Sequence, residues 1–183
     1  QPLNIALSLA VYFAERNKGH FHNLYMTFTD KPHFVALNDF DSLVKKVEQV
    51  INTDVGYNTN LEAAFNKILD TAIQYNMTNE DLPKALCVIS DMEIDRYIRF
   101  EGLDFVKTMR LKFEQNGYTM SDIYLWNVAA RNDTFLSQGD GVYFVSGHSA
   151  SVFKQICSNM SGITAYELMI KVLYDKDYEK VKI

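Results

Sequence analysis

The stretch KALCVISDMEID, Lys84 to Asp95, joins an apolar run to an acidic cluster. Its first half, through Ser90, is almost unbroken in apolar character. Runs of that kind mark strands covered on both faces, as in parallel sheets, so a central strand is expected here. The second half sets Asp91, Glu93 and Asp95 on alternate positions. In an extended chain those three carboxylates share one face. Like charges that close repel one another, and three roles suit them: a metal site, an acid–base set or a solvated loop.

Outward from this stretch the chain alternates helix and strand patterns. Leu3, Ile5, Ala6, Leu9, Ala10 and Phe13 form one broad apolar stripe of a first helix, with Gly19 as a stop. HFHNLYMTFT and HFVAL read as two strands around DKP, which suggests a hairpin. DFDSLVKKVEQVI reads as a helix with Asp39 or Asp41 near its N-cap. LEAAFNKILDTAIQY is strongly amphipathic, with Leu61, Ala64, Phe65, Ile68, Leu69, Ala72 and Ile73 on one face. Beyond the acidic cluster come a helix (GLDFVKTMRLKFEQNG), two strands (SDIYLWNV and GVYFVSG) and two helices (SASVFKQICSNM and TAYELMIKVLYDKDYEKV). The alternation predicts an α/β fold: a doubly wound, mostly parallel, Rossmann-like sheet with helices on both faces and one antiparallel edge hairpin strand. A single domain over residues 1–183 is expected.

Composition narrows the function classes. The chain has 183 residues, 48% of them hydrophobic, with 12 Phe and 11 Tyr. A chain of this length buries roughly 70% of its extended surface and needs no disulfide to fold. Net charge is −5, and Lys and Arg are scattered without a basic stripe, which argues against direct nucleic-acid binding. No apolar run approaches the ~20 residues of a membrane helix. Cys87 and Cys157 both fall in apolar surroundings, and buried free thiols suit a cytoplasmic, intracellular setting.

In open parallel sheets, ligands sit at the carboxyl ends of the strands. Three polar groups map there: Asp91 after Ser90, the loop Asn58-Thr59-Asn60 before a helix, and Ser146-Gly147-His148-Ser149 after the last strand. A hydroxyl and a carboxylate on adjacent loops are part of the oxygen set that a hard cation such as Mg²⁺ takes. Each has a structural alternative. Thr59 or Asn60 suits an N-cap, Asp91 can cap a turn, Glu93 and Asp95 suit a solvated loop, and His148 suits a turn. His148 has no nucleophile elbow beside it, and no glycine-rich phosphate loop occurs.

GYNTNLEAAFNKIL, DLPKALCVISDMEID, YLWNV and GVYFVSGHSASVFKQI together resemble the C-terminal von Willebrand factor A-like domain of the domain-of-unknown-function 2828 proteins, over nearly the whole chain. More distantly the chain is similar to the A-type domain of the Ro-type ribonucleoproteins. The resemblance implies a metal-ion-dependent adhesion site holding Mg²⁺ or Mn²⁺, with Thr59 and Asp91 as the matching ligands. The family's D-x-S-x-S loop, which follows its first strand, has no match here. The chain is therefore expected to be N-terminally incomplete, with weak or absent metal binding by these 183 residues.

On this reading the domain is a non-catalytic module that binds a protein partner, within a ribonucleoprotein assembly or elsewhere. Asn58, Asn60, Glu93, Ser146 and His148 would form the contact surface around Thr59 and Asp91. The rival is a metal-dependent hydrolase or phosphotransferase using Asp91, Glu93 and Asp95. It would require a second set of carboxylates for a two-metal site, and none is visible at a matching strand end.

Overall fold

The computed structural model describes residues 2–27, 31–38, 42–53, 60–90, 94–163, 166, 167, 169, 170 and 174. The elements run α1 (Pro2–Arg16), β1 (Leu24–Thr27), β2 (His33–Ala36), α2 (Leu43–Ile51), α3 (Leu61–Gln74), β3 (Ala85–Ser90), α4 (Ile94–Gln115), β4 (Asp122–Asn127), β5 (Thr134–Gly139), β6 (Val142–Ser146) and α5 (Ala150–Met160). The fold is mixed α/β. Four strands form one sheet in the order β3-β4-β6-β5, and β1 and β2 form a separate two-stranded sheet. β3, β4 and β6 are parallel, while β5 pairs antiparallel with β6.

Strand alternation sends the sheet's side chains into two cores. Leu86, Val88, Ile123, Leu125, Val142 and Phe144 pack with Phe65, Ile68 and Leu69 of α3 and with Val106, Met109 and Phe113 of α4. On the other face Cys87, Ile89, Tyr124, Trp126 and Val145 meet Ile5, Leu9 and Phe13 of α1 and Val152 and Ile156 of α5. Helices therefore cover both faces, as the alternation of patterns predicts. A third cluster joins α1 to α2 through Val11, Ala14 and Val50, with Leu37. Lys46 is buried beside it, its Nζ 2.7 Å from Glu15 Oε1 of α1.

The helix ends follow local chemistry. Asn60 caps α3 and accepts a 2.9 Å bond from the Ala63 N–H. Ser149 caps α5 and accepts from the Val152 N–H at 3.2 Å. The cap of α2 is Ser42, whose Oγ accepts from the Lys45 N–H. That corrects the expectation of an aspartate cap; Asp39 and Asp41 lie outside the described residues. Gly117, at φ +82°, ends the chain's turn out of α4, as the sequence predicts.

Three further differences concern the sheet. β3 was expected to be central, yet among the described residues it pairs with β4 alone and lies at the sheet's edge. Its apolar run cannot say which of its neighbours is present. The β1–β2 hairpin forms, but as its own sheet instead of an edge of the larger one. The antiparallel strand of the main sheet is β5, reached through the Asp140-Gly141 turn, in which both residues have positive φ. The predicted last helix falls mostly outside the described residues.

Candidate functional site

The carboxyl edge of the parallel strands carries one polar row. Ser90, Asn127 and Ser146 end β3, β4 and β6 and are in register with one another. In parallel strands matched residues project to the same face, here the face of α3 and α4. Each position below them in the row is apolar: Val88, Leu125 and Phe144. The sequence thus switches from core to polar chemistry at the same level on three strands.

The row is tied down by its own loops. Asn127 is 8% exposed. Its Oδ1 accepts from the Ala129 N–H at 3.0 Å, and its backbone carbonyl accepts from the Gly147 N–H at 3.0 Å. The Val128 N–H donates to the Ser90 carbonyl at 3.0 Å. Ser146 Oγ donates to the Asn132 carbonyl at 3.1 Å. One face lower, buried Trp126 donates its Nε1–H to the Gly147 carbonyl at 2.7 Å. Gly147 has φ +90°, and a Cβ there would sit 2.0 Å from Asp133 Oδ1. The tight Ser146–Ser149 turn therefore depends on glycine.

Of the residues picked from the sequence, Asn60, Ser146 and His148 lie at described positions. Asn60 Oδ1 is occupied as the α3 cap, and Ser146 is half-buried and bonded to the neighbouring loop. His148 is exposed at the start of the turn into α5. Asn58, Thr59, Asp91 and Glu93 lie outside the described residues. Asp95 is in the first turn of α4, which corrects its assignment to a loop. Asn127 is not among the residues the sequence singles out, because its side chain's role depends on the Ala129 N–H two residues on. Among the described residues no group of three or more His, Cys, Asp or Glu forms a metal-binding cluster.

Both thiols are pushed up by burial, Cys87 additionally by Cys157, so neither is poised as a nucleophile. The Tyr124 phenol, whose hydroxyl donates to Asn159 Oδ1, is pushed up by burial and then by charge repulsion from the phenol of Tyr143, on which its ring stacks. At the opposite end of the sheet, burial raises Asp122 even though Arg110 stands 3.9 Å away and pulls the other way.

Mixed α/β sheets of this kind host many unrelated functions, so the fold by itself assigns none. The chain belongs to the family of the domain of unknown function DUF7788, whose model matches residues 1–181. It is 27% identical over 177 residues to the uncharacterized protein L728 of Acanthamoeba polyphaga mimivirus, covering 94% of this chain. The chain spans 30% of the length of that viral protein. No solved structure matches. No described helix is long and apolar enough to cross a membrane.

Proposed function

We propose that this domain is a non-catalytic protein-binding module of von Willebrand factor A type, acting inside the cell, with its contact surface at the carboxyl edge of β3, β4 and β6. One observation carries the reading: the in-register row Ser90, Asn127 and Ser146, with Asp91 the next residue after β3 and Thr59 the residue before the α3 cap. A divalent cation, Mg²⁺ or Mn²⁺, would be held by Thr59 and Asp91. Their oxygens are the hard donors such ions take.

The donor set within this chain is small: one carboxylate and one hydroxyl. Asn127 Oδ1 is already spent on Ala129, and Asn60 Oδ1 on Ala63. Mg²⁺ gives up its waters reluctantly, so two such donors bind it weakly. A partner's carboxylate would complete the set, which makes the cation a bridge between proteins. Calorimetric titration of Mg²⁺ into the 183-residue chain tests this. The expected dissociation constant is roughly millimolar, with the heat lost in Asp91→Ala. Micromolar affinity, or heat that Asp91→Ala leaves intact, contradicts the assignment. Cation-dependent hydrolysis of p-nitrophenyl phosphate that disappears in Asp91→Ala would make the domain an enzyme instead.

A further inference from the structure

Asn116 and Gly117 form the one Asn-Gly pair in the chain. Both are exposed, where α4 ends and the chain turns toward β4. In Asn-Gly the side-chain amide is unusually open to attack by the next backbone nitrogen, because glycine puts no Cβ in the way.

The turn keeps the two groups apart. The Gly117 N–H donates to the Glu114 carbonyl at 2.9 Å, and the Tyr118 N–H to the Phe113 carbonyl at 2.9 Å. With Gly117 at φ +82°, these are the paired bonds of a Schellman cap. Asn116 Nδ2 donates to the Lys112 carbonyl at 2.8 Å, which draws the side-chain amide back along the helix and away from the Gly117 nitrogen. Asn79, in the connection from α3 to β3, pins the same turn from outside. Its Nδ2 donates to the Gly117 carbonyl at 3.1 Å, and its Oδ1 accepts from the Thr119 N–H at 2.7 Å. Tyr118, between those two points, donates its hydroxyl to the Ala72 carbonyl at 3.2 Å and packs against the core. Packing does not block the site itself: a Cβ at Gly117 would meet nothing within 4 Å. Hydrogen bonds alone hold it closed.

We propose that Asn116 is a deamidation site gated by this cap, with Asn79 as the latch. When the cap opens, the Gly117 nitrogen loses its proton to solvent base and attacks Asn116 Cγ. The N–Cγ bond forms, the Cγ–Nδ2 bond breaks, and ammonia leaves. Water then opens the succinimide. Cleavage of the N–Cγ bond gives aspartate. Cleavage between that nitrogen and the Asn116 backbone carbonyl carbon gives isoaspartate, with the chain running through the former side chain. Either product sets a carboxylate at the carbonyl end of α4, two residues from Glu114, where negative charge is disfavoured. Isoaspartate also adds one carbon to the backbone and breaks the register of the two cap bonds. A single opening event is thereby converted into a lasting change at the α4–β4 turn. Nothing in this chemistry depends on the cation site.

The test incubates the 183-residue chain in mildly alkaline buffer, folded and in guanidinium, and follows the amide-to-acid mass shift at Asn116 by peptide mapping. Conversion in the folded chain should be at least about tenfold slower than in guanidinium, because the closed cap protects the Gly117 amide. Asn79→Ala should speed folded-state conversion at least about threefold and quicken hydrogen exchange at Gly117 and Thr119. Asn60→Ala is the control: it weakens the cap of α3 instead and should leave the rate within about twofold of wild type. A smaller ratio between the two conditions, no conversion of Asn116 in guanidinium, or a smaller gain in Asn79→Ala overturns the proposal. Equal acceleration by Asn60→Ala means that global unfolding exposes the site, and overturns it too. If Asn79→Ala does not fold, the wild-type ratio and the Asn60→Ala rate decide between them, by the same limits.

Discussion

Replacing Trp126 by Phe should loosen the Ser146–Ser149 turn while leaving the sheet in place. The indole is 2% exposed and donates to the Gly147 carbonyl at 2.7 Å. Phe keeps a ring against Phe153, whose centroid lies 6.5 Å from that of Trp126. It cannot donate, so the buried carbonyl loses its partner at a cost of about 1–3 kcal/mol. The smaller ring adds about 1 kcal/mol for lost apolar contact. The sum, about 2–4 kcal/mol, lowers Tm by roughly 4–16 °C at the ~2–4 °C per kcal/mol typical of a chain this size. Thermal melts followed by far-ultraviolet circular dichroism measure the loss, and amide exchange locates it. Exchange at Gly147 and His148 should quicken in Trp126→Phe. It should not in Phe153→Leu, which thins the same cluster without touching the turn. A Trp126→Phe chain that melts within about 1 °C of wild type, with unchanged exchange at Gly147 and His148, would refute the claim that this bond holds the turn.

Three other outcomes follow from the same structure. Asn60→Ala and Ser149→Ala each remove a helix cap and should each cost about 1 kcal/mol by chemical denaturation, while Asn60→Asp, which keeps the acceptor, should cost less. Asp81 accepts from the backbone and hydroxyl of Thr78, and these bonds hold its carboxyl below the ordinary range. Its folded pKa is thus below its unfolded one, so its contribution is present above about pH 4 and lost as pH falls through the folded value. The stability gap between wild type and Asp81→Ala should accordingly close on acidification from pH 6 to 2, and a gap that widens would reverse the sign. Cys87 and Cys157 should react with iodoacetamide at pH 8 at least about tenfold more slowly in the folded chain than in urea, because burial raises both thiols.

Periodicity alone located most of the elements. The α3 stripe of Leu61, Ala64, Phe65, Ile68, Leu69 and Ala72 is buried as its spacing requires, although Ile73, at the stripe's margin, is 43% exposed. The sequence also announced β3, β4, β6 and α5, because each has an apolar pattern long enough to exclude alternatives. β5 was not legible: TFLSQG mixes apolar and polar residues, and its place depends on pairing with β6 through the Asp140-Gly141 turn. Asp95 was placed in a loop because its charge says nothing of the helix that begins at Ile94. The edge position of β3 is a property of which strands are its neighbours, and no residue within Ala85–Ser90 encodes that. At the candidate site, Asn60 could be read as a cap from its place before an amphipathic run. Asn127 could not, since its partner is a backbone N–H beyond the strand end.

The central claim, a weak cation site at the carboxyl edge of the sheet, is tested most directly by Mn²⁺ added to the ¹⁵N-labelled chain. Paramagnetic broadening registers even millimolar binding and reports its location. The account predicts that Asn60, Ser90, Gly147 and His148 broaden first, ahead of Asp122 and Gly141 at the opposite end of the strands, and that Asp91→Ala abolishes the preference. Broadening that starts at Asp122 and Gly141, or a pattern that Asp91→Ala does not change, would contradict it.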